Sequence, residues 1–141
     1  EGAMDCCERV CEILDIEATT LAALYEQVRR GLSATTIYRL EQTGLDKKVV
    51  LQALGTPGTL RRRLRDGSRL NMAESDRAVR LAGIIAHAKE VFGSTEKALS
   101  WLTRPTFGAS ESMAPVLLVE TSVSTEMVRE RLYQIRRGIY V

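Results

Sequence analysis

The sequence predicts an all-α protein, and three observations carry that expectation. Apolar residues recur at spacings of three and four along nearly the whole chain, the period of a helix with one buried face. Glycines at 31, 44, 55 and 67 lie 13, 11 and 12 residues apart, which divides the first half into helices of two to three turns. The one apolar run with the pattern of a buried strand, Val116-Leu117-Leu118-Val119, has no second strand to pair with. A length of 141 residues suits one domain, or two small helical lobes that meet near residue 70 and share a core.

Each element follows from local signals. In the first predicted helix Leu21, Leu24, Tyr25 and Val28 share a face and Gly31 stops it. Ser33 is placed to cap a second helix that carries Ile37, Tyr38 and Leu40 and ends at Gly44. Asp46 is placed to cap a third, with Val49, Val50 and Leu54, ending at Gly55. Thr56-Pro57 reads as an N-cap followed by proline at the first helical position, opening a helix with Leu60 and Leu64 that stops at Gly67. Asn71 with Glu74 three residues on reads as a capping box for a long amphipathic helix through Val79, Ala82, Ile85, Ala86 and Phe92 to Gly93. Ser94 caps Thr95–Thr103, which carries Leu99, Trp101 and Leu102, and Arg104-Pro105 ends it. Residues 106–113 read as a loop, Pro115 starts the short apolar element, and a last helix runs from about Thr125 through Val128, Leu132 and Ile135 to Gly138.

Composition removes several function classes. With 45% hydrophobic and 27% charged residues, 10 Gly and 3 Pro, the chain is neither collagenous nor low-complexity. No apolar run approaches the roughly 18 residues of a membrane span, and no secretory leader is recognisable. A cytoplasmic protein without membrane contact is the expectation. The single histidine, His87, excludes a multi-histidine metal site and is expected mid-helix on the more polar face. Cys6, Cys7 and Cys11 crowd one end with no distant cysteine, so a disulfide framework is excluded, and three thiols without a fourth ligand make a poor zinc site. They are expected as reduced, partly buried thiols. No paired carboxylates, nucleophile elbow or phosphate loop is present, so the sequence predicts neither catalysis nor a metal or cofactor.

The net charge of +2 conceals an uneven distribution. Residues 1–46 hold 4 basic and 9 acidic side chains, whereas residues 47–69 hold 7 basic and only Asp66 as acid. A short helix, a glycine turn and a second, arginine-bearing helix is how a helix-turn-helix reads in sequence. Val50, Leu54, Leu60 and Leu64 would hold the pair together, presenting Thr56, Thr59, Arg61, Arg62, Arg63 and Arg65 as DNA-binding candidates. Arginine forks suit both phosphate oxygens and the guanine edge. A solvated charged face and a surface for an acidic protein remain open alternatives. At the other end, Ile139-Tyr140-Val141 gives an apolar finish that either folds back on its own core or inserts into a partner.

A set of spaced motifs then resembles a known family. Ser75-Asp76-Arg77-Ala78-Val79-Arg80-Leu81-Ala82, Val91-Phe92-Gly93, Lys97-Ala98-Leu99-Ser100-Trp101-Leu102, Pro105, Pro115-Val116-Leu117-Leu118 and Ile135-Arg136-Arg137-Gly138-Ile139-Tyr140 look like the toxin-binding domain of the Xre/MbcA/ParS antitoxin family. Gly31-Leu32, Leu54-Gly55 and Thr59-Leu60-Arg61-Arg62-Arg63 are similar to its Xre-like DNA-binding part, and the likeness covers roughly residues 28–141. One departure is that Gly55 and Leu60 are five apart where the family usually has six, which implies a tighter turn or a later helix start. The acidic first 20 residues match no motif of the family and read as an extension that forms a further helix.

The resemblance implies an antitoxin of a type II toxin–antitoxin pair, with residues 1–20 an extension, 21–70 a helix-turn-helix domain and 71–141 the toxin-binding domain. It implies a RES-domain toxin that degrades NAD or ADP-ribosylates a target, its cleft covered by the antitoxin. It also implies a homodimer that binds operator DNA and represses its own operon. Carried over by position, the toxin-binding candidates are Leu132, Ile135, Arg136, Arg137, Gly138, Ile139, Tyr140 and Val141. The rival expectation is a stand-alone helix-turn-helix regulator without a toxin partner.

Overall fold

A computed structural model describes residues 2–108 and 112–139, with side chains from residue 7 onward. The helices are α1 (Gly2–Leu14), α2 (Leu21–Arg30), α3 (Thr36–Glu41), α4 (Lys47–Leu54), α5 (Pro57–Asp66), α6 (Met72–Phe92), α7 (Thr95–Thr103) and α8 (Ser122–Arg136), with a 3-10 turn at Pro115–Leu117. Among the described residues the only strand-like pairings are two isolated antiparallel bridges, Ser33 to Arg69 and Phe107 to Met113. The fold is all-α.

Local chemistry places most boundaries. The Asn71–Glu74 capping box is fully formed, the Ser94 hydroxyl accepts from Lys97 N at 3.1 Å, and Thr20 caps α2 through Ala23 N. Two boundaries differ from the sequence expectation, and one short apolar element whose pattern left its form open takes a definite one. Ser33 does not cap α3: its Oγ accepts from Thr35 N within a preceding turn, and the helix starts at Thr36. The Val116–Val119 run coils instead of extending, because Pro115 starts a helical turn and Val116, Leu118 and Val119 are buried without a strand partner. The last helix starts at Ser122, since Thr121 and Ser124 exchange side-chain and backbone hydrogen bonds in a second capping box.

The extension is indeed helical, and α1 packs against α2, α3 and α6. Cys7 and Cys11, one turn apart, are buried and both donate to the Ala18 carbonyl, which ties α1 to the loop leading into α2. The side chain of Cys6 lies outside the described residues.

The long helix α6 sits at the centre, against α1, α2, α3, α4, α7 and α8. Residues 81–88 are all buried, so its middle is enclosed on every side instead of amphipathic. Leu81, Ile84 and Ile85 are fully buried, each worth about 1.5–3 kcal/mol before the entropy of ordering. Small residues make the enclosure possible: a Cβ on Gly83 would stand 2.5 Å from Nη2 of Arg129 on α8. One buried cluster runs from Val10 to Leu132, taking residues from both sides of position 70.

The chain between α2 and α3 crosses the segment between α5 and α6. Leu70 N donates to the Leu32 carbonyl at 2.8 Å, Arg69 Nη1 to the Gly31 carbonyl at 2.9 Å, and Leu32 N to Ser75 Oγ at 2.8 Å. Gly31 is required there: its φ is +97° and a Cβ would lie 2.2 Å from the Leu70 carbonyl oxygen.

Candidate nucleic-acid and partner interfaces

Helices α4 and α5 are joined by Gly55 and Thr56 alone, with Pro57 already helical. The five-residue spacing from Gly55 to Leu60 is thus met by a tight turn and not by a later helix start. Val50, Leu54 and Leu60 are fully buried between the helices and the rest of the core, and Leu64 packs against them half-buried.

That anchoring sets the phase of the arginines. At about 100° per residue, Arg61, Arg62 and Arg65 span an arc of about 100° on the side away from Leu60 and Leu64. All three are exposed, as is Thr56 at the N-cap; Thr59 is half-buried. The contact of Arg65 with Asp66, 3.9 Å between two exposed groups, is too weak to occupy it. Arg63 falls on the inner side. Its Nε donates to Glu74 Oε1 at 2.8 Å and its Nη2 to Oε2 at 3.3 Å, so it is turned into the fold and away from the three presented arginines.

The C-terminal candidates also divide. Leu132 is fully buried in the core, Ile135 is half-buried, and Arg136, Arg137 and Gly138 are exposed. Gly138, at φ +73°, ends the helix while Ile139 N donates to the Gln134 carbonyl at 3.0 Å, a Schellman-type stop. That stop projects Ile139 outward, 67% exposed, so this residue does not fold back on the core. Tyr140 and Val141 lie outside the described residues.

A second apolar stripe on α8 escaped the sequence reading. Val123, Met127 and Tyr133 are exposed and line, with Glu126, Glu130 and Arg137, a groove of about 530 Å³. Their spacing was available in the sequence, on the face opposite Thr125, Val128 and Leu132, but only the core-facing stripe was used.

Beside that stripe, His87 is buried, contrary to its expected polar face. Its ring lies 4.6 Å from that of Tyr133, and its Nδ1 has no hydrogen-bond partner among the described residues. Burial pushes its pKa down, and the neighbouring Arg129, Arg9 and Arg136 act in the same direction against Glu90. Glu90 pairs with Arg9 at 2.9 Å and Arg136 at 3.4 Å, and the hydrogen bond from Arg9 holds its carboxyl below the usual value. These exposed pairs link α1, α6 and the end of α8 and add little to stability. Trp101 is half-buried between Phe92 and Phe107, tilted against the first ring and edge-on to the second, while the Arg131 guanidinium lies 4.4 Å over the Phe107 ring. No group of three potential metal ligands occurs among the described residues, and none of their helices is long and apolar enough to cross a membrane.

Comparison with known proteins adds two relatives. An Antitoxin Xre of Pseudomonas putida is 32% identical over 131 residues, covering 92% of this chain and 82% of that protein. An Antitoxin Xre of Yersinia enterocolitica is 26% identical over 131 residues, covering 90% of this chain and 87% of its own length. No family model matches the sequence. Alignments of this length reach into the acidic first 20 residues, for which no family motif had been evident.

Proposed function

The chain belongs to the Xre antitoxin family, and from that premise we propose that it neutralises a RES-domain toxin by occluding the cleft in which the toxin consumes NAD or ADP-ribosylates its target. The observation that carries this reading is the end of α8, where Arg136, Arg137 and Ile139 project from a firmly anchored helix. An apolar tip flanked by guanidinium groups suits a cleft that handles an anionic dinucleotide, by filling space and by pairing with acids there. The antitoxin performs no chemistry of its own on this reading. Residues 71–141 serve the toxin and 21–70 serve DNA.

The same reading has α4 and α5 bind operator DNA as a homodimer and repress the operon. Its support is the outward arc of Arg61, Arg62 and Arg65 beside a two-helix unit of the right build. That arc equally favours the second reading, a stand-alone regulator, and the two part on whether a toxin partner exists. The direct test is removal of residues 136–141, beyond the buried Leu132. The shortened chain should keep its fold by circular dichroism yet lose protection of cells expressing the toxin. Full protection by the shortened chain would remove the tail from the mechanism.

A further inference from the structure

The geometry points to Arg63 and Glu74 as a positioning pair that sets the angle of the DNA-facing helix α5, with Arg63 making no contact to DNA itself. This deepens the DNA-binding half of the proposed function and rests on it.

Very little else holds α5. It packs mainly on α4, and Leu60 is its one buried side chain among the described residues. A helix held along the single line of Leu60 and half-buried Leu64 can roll about that line, and rolling would carry Arg61, Arg62 and Arg65 out of register with a groove. The ion pair supplies a second pin. Its side chains are 19% and 6% exposed, and the fork of Arg63 grips both oxygens of Glu74, a geometry that lysine cannot reproduce.

Glu74 is itself immobilised. Its Oε1 accepts from Asn71 N at 2.9 Å while Asn71 Oδ1 accepts from Glu74 N at 2.7 Å, so the carboxylate is fixed to the first turn of α6. One turn on, Arg77 Nη1 donates to the Leu54 carbonyl at 3.1 Å, holding the end of α4. The turn lies directly beneath these side chains: the Glu74 Cγ is 3.5 Å from where a Cβ on Gly55 would stand, an ordinary contact distance. The start of α6 therefore grips both helices of the pair, α4 at its last residue and α5 in its last turn.

Glu74→Gln tests the pair, because the one amide oxygen of glutamine can keep the capping box while the charge and the second acceptor for Arg63 are lost. Three readouts are taken on the full chain. They are affinity for duplex DNA from upstream of its own reading frame, affinity for a scrambled duplex, and hydrogen exchange of α5 amides. Simple electrostatics predicts tighter DNA binding, since a negative charge is lost and Arg63 is released. Positioning predicts the opposite: the upstream-to-scrambled ratio falls about tenfold, within the range for coupled charged pairs. Exchange in α5 should rise while α4 changes little. Arg63→Lys should show the same loss, and Arg63→Ala should leave the salt slope unchanged, where a lost phosphate contact would lower it by about 0.9. Equal or tighter binding by Glu74→Gln, or a lowered slope for Arg63→Ala, would overturn the proposal. If the unaltered chain binds neither duplex, the DNA reading fails by itself, and unchanged α5 exchange in Glu74→Gln would then refute the pair.

Discussion

His87 shows how much a single side chain depends on what folds over it. Its neighbours Gly83 and Glu90 in sequence suggested a polar face, but α1 and α8 both cover that face, and no local pattern encodes coverage by distant helices. The consequence is a pH effect with a definite sign. The folded chain favours neutral His87, whereas the unfolded chain takes up a proton near the ordinary value of 6.5. Its contribution to stability is therefore complete above about pH 6.5 and is lost as the pH falls from there toward the lowered folded value. Urea midpoints should drop between pH 7.5 and 5.5, and His87→Phe, which keeps a ring against Tyr133, should flatten that drop. An equal drop in both proteins would assign the effect to other groups. Arg63 is the converse case, since its inward phase relative to Leu60 and Leu64 was present in the spacing. Its partner Glu74 was not legible, because the capping box already accounted for that residue locally.

At the scale of the element, helices with caps and stops written in nearby residues were readable, and those defined by tertiary contacts were not. Asn71 with Glu74, Ser94 and Thr56-Pro57 mark helix starts that the structure reproduces. Thr121 with Ser124 did not read as a cap because serine stands where glutamate or glutamine is the usual signal. The apolar run after Pro115 carries strand chemistry, but Pro115 opens a turn and no strand among the described residues pairs with the run, so its first residues lie in a 3-10 turn. Helix α8 also has two apolar stripes, and searching for a core finds one of them. Its outer stripe gives a prediction separable from the tail. Val123→Asp with Met127→Asp should leave thermal stability nearly unchanged, since both side chains are exposed. The pair should nonetheless weaken toxin binding at least about tenfold in a titration, by charging an apolar contact. Unaltered affinity would confine the interface to residues 136–141.

Across the whole molecule, α6 joins what the sequence separates. It begins by gripping α4 and α5 through Glu74 and Arg77, and it supports α8 in its second half through Gly83, His87 and Glu90. The near-zero net charge is the sum of an acidic start and a cationic helix pair, with a nearly balanced half beyond residue 70. The cationic part presents Arg61, Arg62 and Arg65, and the balanced half presents the apolar edge and tip of α8. Those are different surfaces, as the proposed binding of both a toxin and operator DNA would require. The central claim is the toxin partner, and one measurement reaches it most directly. The chain is co-expressed with the product of the adjacent reading frame, and co-purification is scored together with cellular NAD. The account predicts a stable complex and NAD preserved at the level of toxin-free cells. An adjacent product that fails to co-purify, or NAD lost equally with and without this chain, would contradict it.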